Sequence, residues 1–154
     1  MNGTELTYRK TAAAGASGFG LLVALCDTLA GDLRRAAAAE RSNDIEQRVR
    51  EVNHALLVVA HLEDWIARGS GGELADQLRA FYEGLRRKMI AAQAKRSAEI
   101  LEQQMESVLK LRRIWHDLDV RTASVSAVPS WAHAPGFSSI ASQQFEARAS
   151  SWSA

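Results

Sequence analysis

The sequence predicts an all-α protein, an antiparallel four-helix bundle flanked by a mobile N-terminal tail and a disordered C-terminal tail. Three observations carry that expectation. Apolar residues recur at spacings of three and four in four successive runs, which places them on one face of a helix. Clusters of Gly, Ser and Asn separate the runs, and no stretch alternates apolar with polar as a strand would. The 154 residues suit a single domain, and short connections between helices of about 30 Å favour antiparallel neighbours.

Residues 1–18 are small, polar or glycine-containing and are expected to be mobile. From Phe19 the helical pattern begins, with Leu22, Leu25, Leu29 and Leu33 on one face. Ala36 and Ala37 extend that face, and the helix should stop near Arg41, before Ser42-Asn43. Asn43 and Glu46 resemble a capping box that opens a second run. Its stripe is Ile45, Val49, Val52, Leu56, Val59, Glu63 and Ile66, with Glu63 the one polar member. Arg68-Gly69-Ser70-Gly71-Gly72 breaks this pattern. Glu73 starts a third helix with an acidic first turn, favourable at the positive end of the helix dipole. Its stripe is Leu74, Leu78, Phe81, Leu85, Met89 and Ala92. Ser97 is a candidate N-cap for the fourth helix, which carries Leu101, Met105, Val108, Leu111, Trp115 and Leu118. The bundle therefore spans residues 19–121. After Arg121 the composition turns to Ser, Ala, Gly and Pro, including Pro129 and Pro135, and residues 122–154 read as disordered.

A formal net charge of +1 gives no ground for a nucleic-acid or anionic-membrane partner. The basic pairs, such as Arg34-Arg35 and Arg112-Arg113, are interleaved with acidic residues and read as solvated helix faces. Cys26 is the only cysteine, so no internal disulfide forms and a reducing compartment suits the chain. The stretch from Arg9 to Cys26 has a faint likeness to a lipoprotein signal. Its apolar part is short, however, and the pattern continues past Cys26 into Leu29 and Leu33, as in a domain helix. No segment is long enough to insert in a membrane.

Catalytic and metal chemistry find little support. Glu51-Val-Asn-His54 is one Glu-x-x-His turn, but a di-iron bundle needs two. A phosphotransfer bundle is the alternative reading, with His54, His61 or His116 as the reactive group. Against it, His61 is followed closely by Glu63 and Asp64, whose charges repel a phosphoryl group. Cys26 sits inside an apolar run, where a thiol behaves as a small hydrophobe with a raised pKa. No cofactor is implied. What remains is apolar excess beyond the main stripes: Leu57, Val58, Leu62, Trp65, Tyr82, Ile90 and Ile114. Such an excess either widens the core face or lines an outer groove for an amphipathic partner.

Several segments, in order, resemble the flagellar secretion chaperones of the FliS family. Residues 22–37, LVALCDTLAGDLRRAA, are similar to that family's first helix, aliphatic-x-x-Leu-Tyr-Asp-Gly-x-aliphatic. Residues 71–78, GGELADQL, resemble its Gly-Gly-Glu-Ile-Ala-x-Asn-Leu signal, continued by Phe81-Tyr82 and Leu85-Arg86-Arg87-Lys88-Met89. Residues 109–118, LKLRRIWHDL, are similar to its closing Leu-x-x-Leu-Arg-x-x-Trp, and Tyr8 fits its early tyrosine. The resemblance covers residues 8–119. Cys26, Thr28 and Gln93 depart from it, standing where tyrosine, glycine and asparagine are usual.

The resemblance implies a cytoplasmic export chaperone without catalytic activity. Such a protein binds the disordered C-terminal segment of flagellin one to one as a monomer, prevents premature polymerisation and delivers the subunit to the export apparatus. By the same resemblance Tyr8 is a displaceable cap over the groove. Leu22, Leu25, Asp27 and Leu29 are expected near the capped region, and Leu78, Tyr82, Leu85 and Met89 on the third helix. Tyr8 and Tyr82 are the preferred contacts, since a phenol favours a half-wet site.

Overall fold

The structure is a computed structural model that describes residues 18–126. Among these residues every regular element is helical: α1 (Phe19–Arg41), α2 (Ile45–Ala67), α3 (Glu73–Lys95) and α4 (Ala98–Ser126). The all-α four-helix class expected from the apolar periodicity is the class observed. The chain divides into two compact units, residues 24–112 and residues 1–23 with 113–154. Of the expected tails, 1–18 and 122–154, residues 1–17, Tyr8 among them, and 127–154 lie outside the described residues.

Within the 24–112 unit the helix directions follow from side-chain pairs. Asp32, Arg35 and Glu40 of α1 meet His54, Glu51 and Arg48 of α2, rising residue numbers against falling ones. Asp27 and Arg41 likewise meet Arg112 and Glu102 of α4. Helix α1 is therefore antiparallel to both. The Arg68–Gly72 connection returns α3 along α2, which it packs against. Gly71 and Gly72 have φ of 77° and 106°, conformations that a side chain would strain.

The helix ends have identifiable causes. Asp44, not Asn43, caps α2: its Oδ1 accepts a hydrogen bond from the Gln47 N–H at 3.0 Å. Asn43 instead turns the chain, with a left-handed φ of 59°. Ser97 caps α4 as its sequence position predicts, accepting from the Ile100 N–H at 3.3 Å. Arg96, which closes α3, is also left-handed, a costly conformation for a residue with a side chain. Its guanidinium donates to Glu40 at 3.2 Å and to Asn43 Oδ1, which fastens the two turns together. Helix α4 runs to Ser126, past the Arg121 limit read from the apolar stripe, with Thr122 and Ser124 hydroxyls bonding back to the carbonyls of Leu118 and Val120.

The core of this unit is aliphatic, with Leu29, Leu33, Val52, Val59, Leu62, Leu85, Met89, Leu101, Val108 and Leu111 essentially inaccessible. Each such side chain contributes about 1.5–3 kcal/mol by leaving water. Buried Ala36, Ala37, Ala55 and Ala92 let the helices approach closely. In the other unit Phe19 stacks on Trp115, with ring centroids 5.8 Å apart and planes 18° from parallel.

The stripe expected on α2 is corrected. Val58 and Leu62, set outside it, are buried, whereas Ile45 and Val49 are exposed and Leu56 is half-buried. An alternating three/four pattern repeats every 3.5 residues, while a straight helix turns every 3.6, so the stripe drifts by about 20° per heptad. It reaches the core at Val52, Val59 and Ile66 and leaves Ile45, Val49 and Leu56 to one side.

Candidate functional site: an aliphatic rim on α2 and α3

At about 100° per residue, Ile45, Val49, Leu56 and Glu63 fall within about 40° of arc on α2. Glu63 identifies what that arc faces, because its Oε2 accepts a hydrogen bond from Arg86 Nη2 of α3 at 2.5 Å. Ile90, one turn beyond Arg86, lies on the facing edge of α3. Its side chain is 53% exposed, beside 50% for Ile45 and 36% for Val49. The Arg68–Gly72 connection sets the start of α3 against the end of α2, and Arg96, just past α3, reaches Asn43, just before α2, so Ile90 comes level with about residue 50, beside Val49. The two helices thus share an open aliphatic rim, closed at one end by the Glu63–Arg86 ion pair.

Sequence reading missed most of this rim. Three/four spacing alone assigns Ile45, Val49 and Leu56 to the core and leaves Ile90 as the only rim residue in the apolar excess. The signal that finds them is the angular drift of the α2 stripe. Of the other excess residues, Leu57 (61%) and Trp65 (38%) are exposed, whereas Val58, Leu62, Tyr82 and Ile114 are buried.

The residues expected from the resemblance fall into three groups. Leu22, Leu29, Leu78, Tyr82, Leu85 and Met89 are buried. Leu25 is half-buried, and Asp27 is exposed, its two oxygens accepting from Arg112 Nε and Nη2 at 2.5 and 3.3 Å. Tyr8 lies outside the described residues. Leu78, Tyr82, Leu85 and Met89 share one inward face of α3, so the structure groups them beneath the surface. Tyr82 in particular is 1% exposed rather than half-wet, and burial raises its phenol pKa. It occupies the core because its position on α3 falls in the same arc as Leu78, Leu85 and Met89.

The polar clusters bind helices to one another. Asp32 is fully buried, and its Oδ2 lies 2.6 Å from His54 Nδ1 while its Oδ1 accepts from Arg35 Nη2 at 2.5 Å. Arg35 Nε also reaches Glu51 at 3.0 Å. Burial raises the Asp32 pKa, opposed by the His54 hydrogen bond and the charges of His54 and Arg35. Glu51 and His54, the Glu-x-x-His turn, are thus engaged by α1. Among the described residues no group of three His, Cys, Asp or Glu side chains is placed to hold a metal. Burial pushes the Cys26 thiol up to about 12, which leaves it protonated at neutral pH. No described helix is long and apolar enough to cross a membrane.

A helical scaffold with interlocked polar pairs and one open aliphatic edge has the form of a binding module. The family model described as flagellar protein FliS matches residues 1–122, and the chain belongs to that family, one of flagellar export chaperones. No curated protein matches the chain.

Proposed function

We propose that the protein is a cytoplasmic export chaperone that binds the C-terminal segment of flagellin, prevents its premature polymerisation and passes it to the export apparatus. The observation that carries this reading is the open aliphatic rim of α2 and α3 in a member of a flagellar chaperone family. A disordered client segment has apolar side chains and an unordered backbone. Forming a helix against the rim buries those side chains, and the ordering entropy offsets part of the gain. Binding of this kind is firm enough to mask a polymerisation segment and still reversible at export.

Leu29, Leu78, Tyr82, Leu85 and Met89, buried in the same compact unit as this surface, fix the spacing of its helices, and Leu22 is buried in the other unit. Leu25 and Asp27, the latter paired with Arg112, are the described members of the family-derived set that reach solvent. Tyr8 acts as a displaceable cap that competes with the client. Association is one monomer to one client.

Titration calorimetry tests the proposal with full-length flagellin and with flagellin lacking its C-terminal segment. Saturable one-to-one binding of the first and none of the second is expected. Equal binding of both would place recognition elsewhere. Labelling of His54 or His61 by acetyl phosphate would instead favour the phosphotransfer alternative.

A further inference from the structure

We propose that the outer face of α2 pairs with the same face of a second copy, antiparallel and about a twofold axis at Leu57. The proposal does not rest on the identity of the client. Three observations carry it.

The first is Leu57 itself. At 61% it is the most exposed large apolar residue among those described. It lies about 100° round α2 from the centre of the rim formed by Ile45, Val49 and Leu56, so a client seated on the rim does not cover it.

The second is the charge around it. Glu46 and Arg50 precede Leu57 by eleven and seven residues, and Asp64 and Arg68 follow it by seven and eleven. Seven residues along a helix return to within about 20° of the starting direction, and so do eleven. All five side chains therefore share one stripe about 40° wide. Arg68, the C-cap, keeps helical backbone at φ −82° and ψ −11° and stays on it. Of the Asp, Glu, Lys and Arg residues within α2, only Glu46, Arg50 and Asp64 are exposed. Arg48 is buried, and Glu51 and Glu63 are half-buried against Arg35 of α1 and Arg86 of α3.

The third is what that order selects. Along the chain the stripe reads minus, plus, Leu57, minus, plus. Laid parallel and in register against its copy, it sets each charge against its like. Laid antiparallel about Leu57, it sets Arg50 opposite Asp64 and Glu46 opposite Arg68, about 10 Å and 16 Å from the centre. Each of these contacts occurs twice, once on either side of the axis, and the two Leu57 side chains meet between them. Such a contact uses one patch on both copies and closes as a dimer. Within one copy Arg50 stands 3.8 Å from Glu46, and Arg68 pairs with Asp64, so the second copy completes a network of four charges at each end. A single helix face with one apolar centre is a small interface, so the pair is weak, with a Kd in about the 0.1–1 mM range. At the micromolar concentrations of a client titration the chain is then a monomer.

Sedimentation equilibrium of the full-length chain, from about 10 μM to about 1 mM, tests the pairing. An ionic strength of about 0.05 M keeps the exposed charges little screened. Association rising across this range is expected. Arg50→Glu with Arg68→Glu makes the stripe all acidic, and Glu46→Arg with Asp64→Arg makes it all basic. Each variant alone should associate at least about tenfold more weakly, because every facing pair is then of like charge. An equimolar mixture of the two should associate at least as tightly as the natural chain, a recovery that loss of folding cannot give. Leu57→Arg sets two like charges on the axis and should weaken association by a similar factor. No association of the natural chain up to about 1 mM, association indifferent to these substitutions, or a mixture that stays monomeric overturns the proposal. Binding of a flagellin C-terminal peptide that is lost in Leu57→Arg, with no self-association of the natural chain, assigns the face to the client and overturns it too.

Discussion

Replacing Val49 and Ile90 together by serine separates recognition from folding. Val49 is 36% exposed and Ile90 53% exposed, so each already has a substantial part of its surface in water. Full burial of such a side chain is worth about 1.5–3 kcal/mol. Covering the remaining half of Ile90 and third of Val49 under a client therefore supplies about 2 kcal/mol in all. Losing that corresponds to about a thirtyfold rise in Kd. Serine has a helix propensity close to those of valine and isoleucine, and by the same scale the parts of the two side chains that folding already buries cost the fold about 2–3 kcal/mol. The neighbouring residue provides the contrast. Met89 is fully buried, and Met89→Ser should destabilise the fold by several kcal/mol, about 2–5 by the scale of core truncations. Calorimetry against a flagellin C-terminal peptide and thermal unfolding by circular dichroism read the two quantities. An unchanged Kd for the Val49/Ile90 variant, measured below its Tm where it is folded, would refute the assignment of the rim as the client surface.

Three further outcomes are expected. Leu85→Ala, at a position 2% exposed, should cost about 2–5 kcal/mol in urea unfolding, and a cost below 1 kcal/mol would show that it lies outside the core. Asp32 has a folded pKa above its ordinary 3.8, so the native state holds that proton longer and stability falls as pH rises through the ordinary value towards the folded one. Asp32→Asn removes that fall, and its stability relative to the natural chain should improve with rising pH over this interval in urea melts. A parallel or opposite trend would contradict the burial argument. Glu40 has the reverse sign, because its hydrogen bond from Arg48 lowers its pKa, and its contribution is lost as pH falls. Deleting residues 1–17 should leave the helical circular dichroism intact and tighten client binding, since a cap competes with the client. Equal affinity by calorimetry would exclude Tyr8 as the cap.

The fold was legible because its signals are local. Phe19 as the start of α1, Arg41 as its end, the Gly71-Gly72 break and the Ser97 cap each follow from residues adjacent in the chain, and each is found where it was expected. The cap of α2 was missed by one position because Asn43 and Asp44 are both capping residues. The choice depends on which of them takes the left-handed turn, a matter settled by the packing of Arg96 across from it. The site was less legible. Periodicity identifies a helix with apolar residues on one side but does not fix the phase of the core, and an error of about 60° moves Val49 from rim to core. Tyr82 was misjudged for the complementary reason. Residue chemistry favours a half-wet tyrosine, whereas its angular position on α3 places it with Leu78 and Met89.

The placement of the polar clusters bears on why such a rim can hold a client. The first turns of α2, which carry Ile45 and Val49, are held by the Asp44 cap, by Arg48 on Glu40, and by Glu40 in turn on Arg96. Arg48 and Glu40 are both nearly inaccessible, so this link is screened little by solvent or salt. Further along, Asp32 with His54 and Arg35 with Glu51 fix α2 against α1, and Arg86 with Glu63 fixes it against α3. Every helix that contributes to the rim is thus locked by charged pairs on its flanks, while the rim itself stays aliphatic. A disordered client brings all the conformational entropy that must be lost, and a receptor that also had to order itself would add a second loss to the first. Rigidity in the chaperone leaves the entropy cost on the client side alone. That cost keeps the complex reversible, and a chaperone that must release its cargo depends on reversibility.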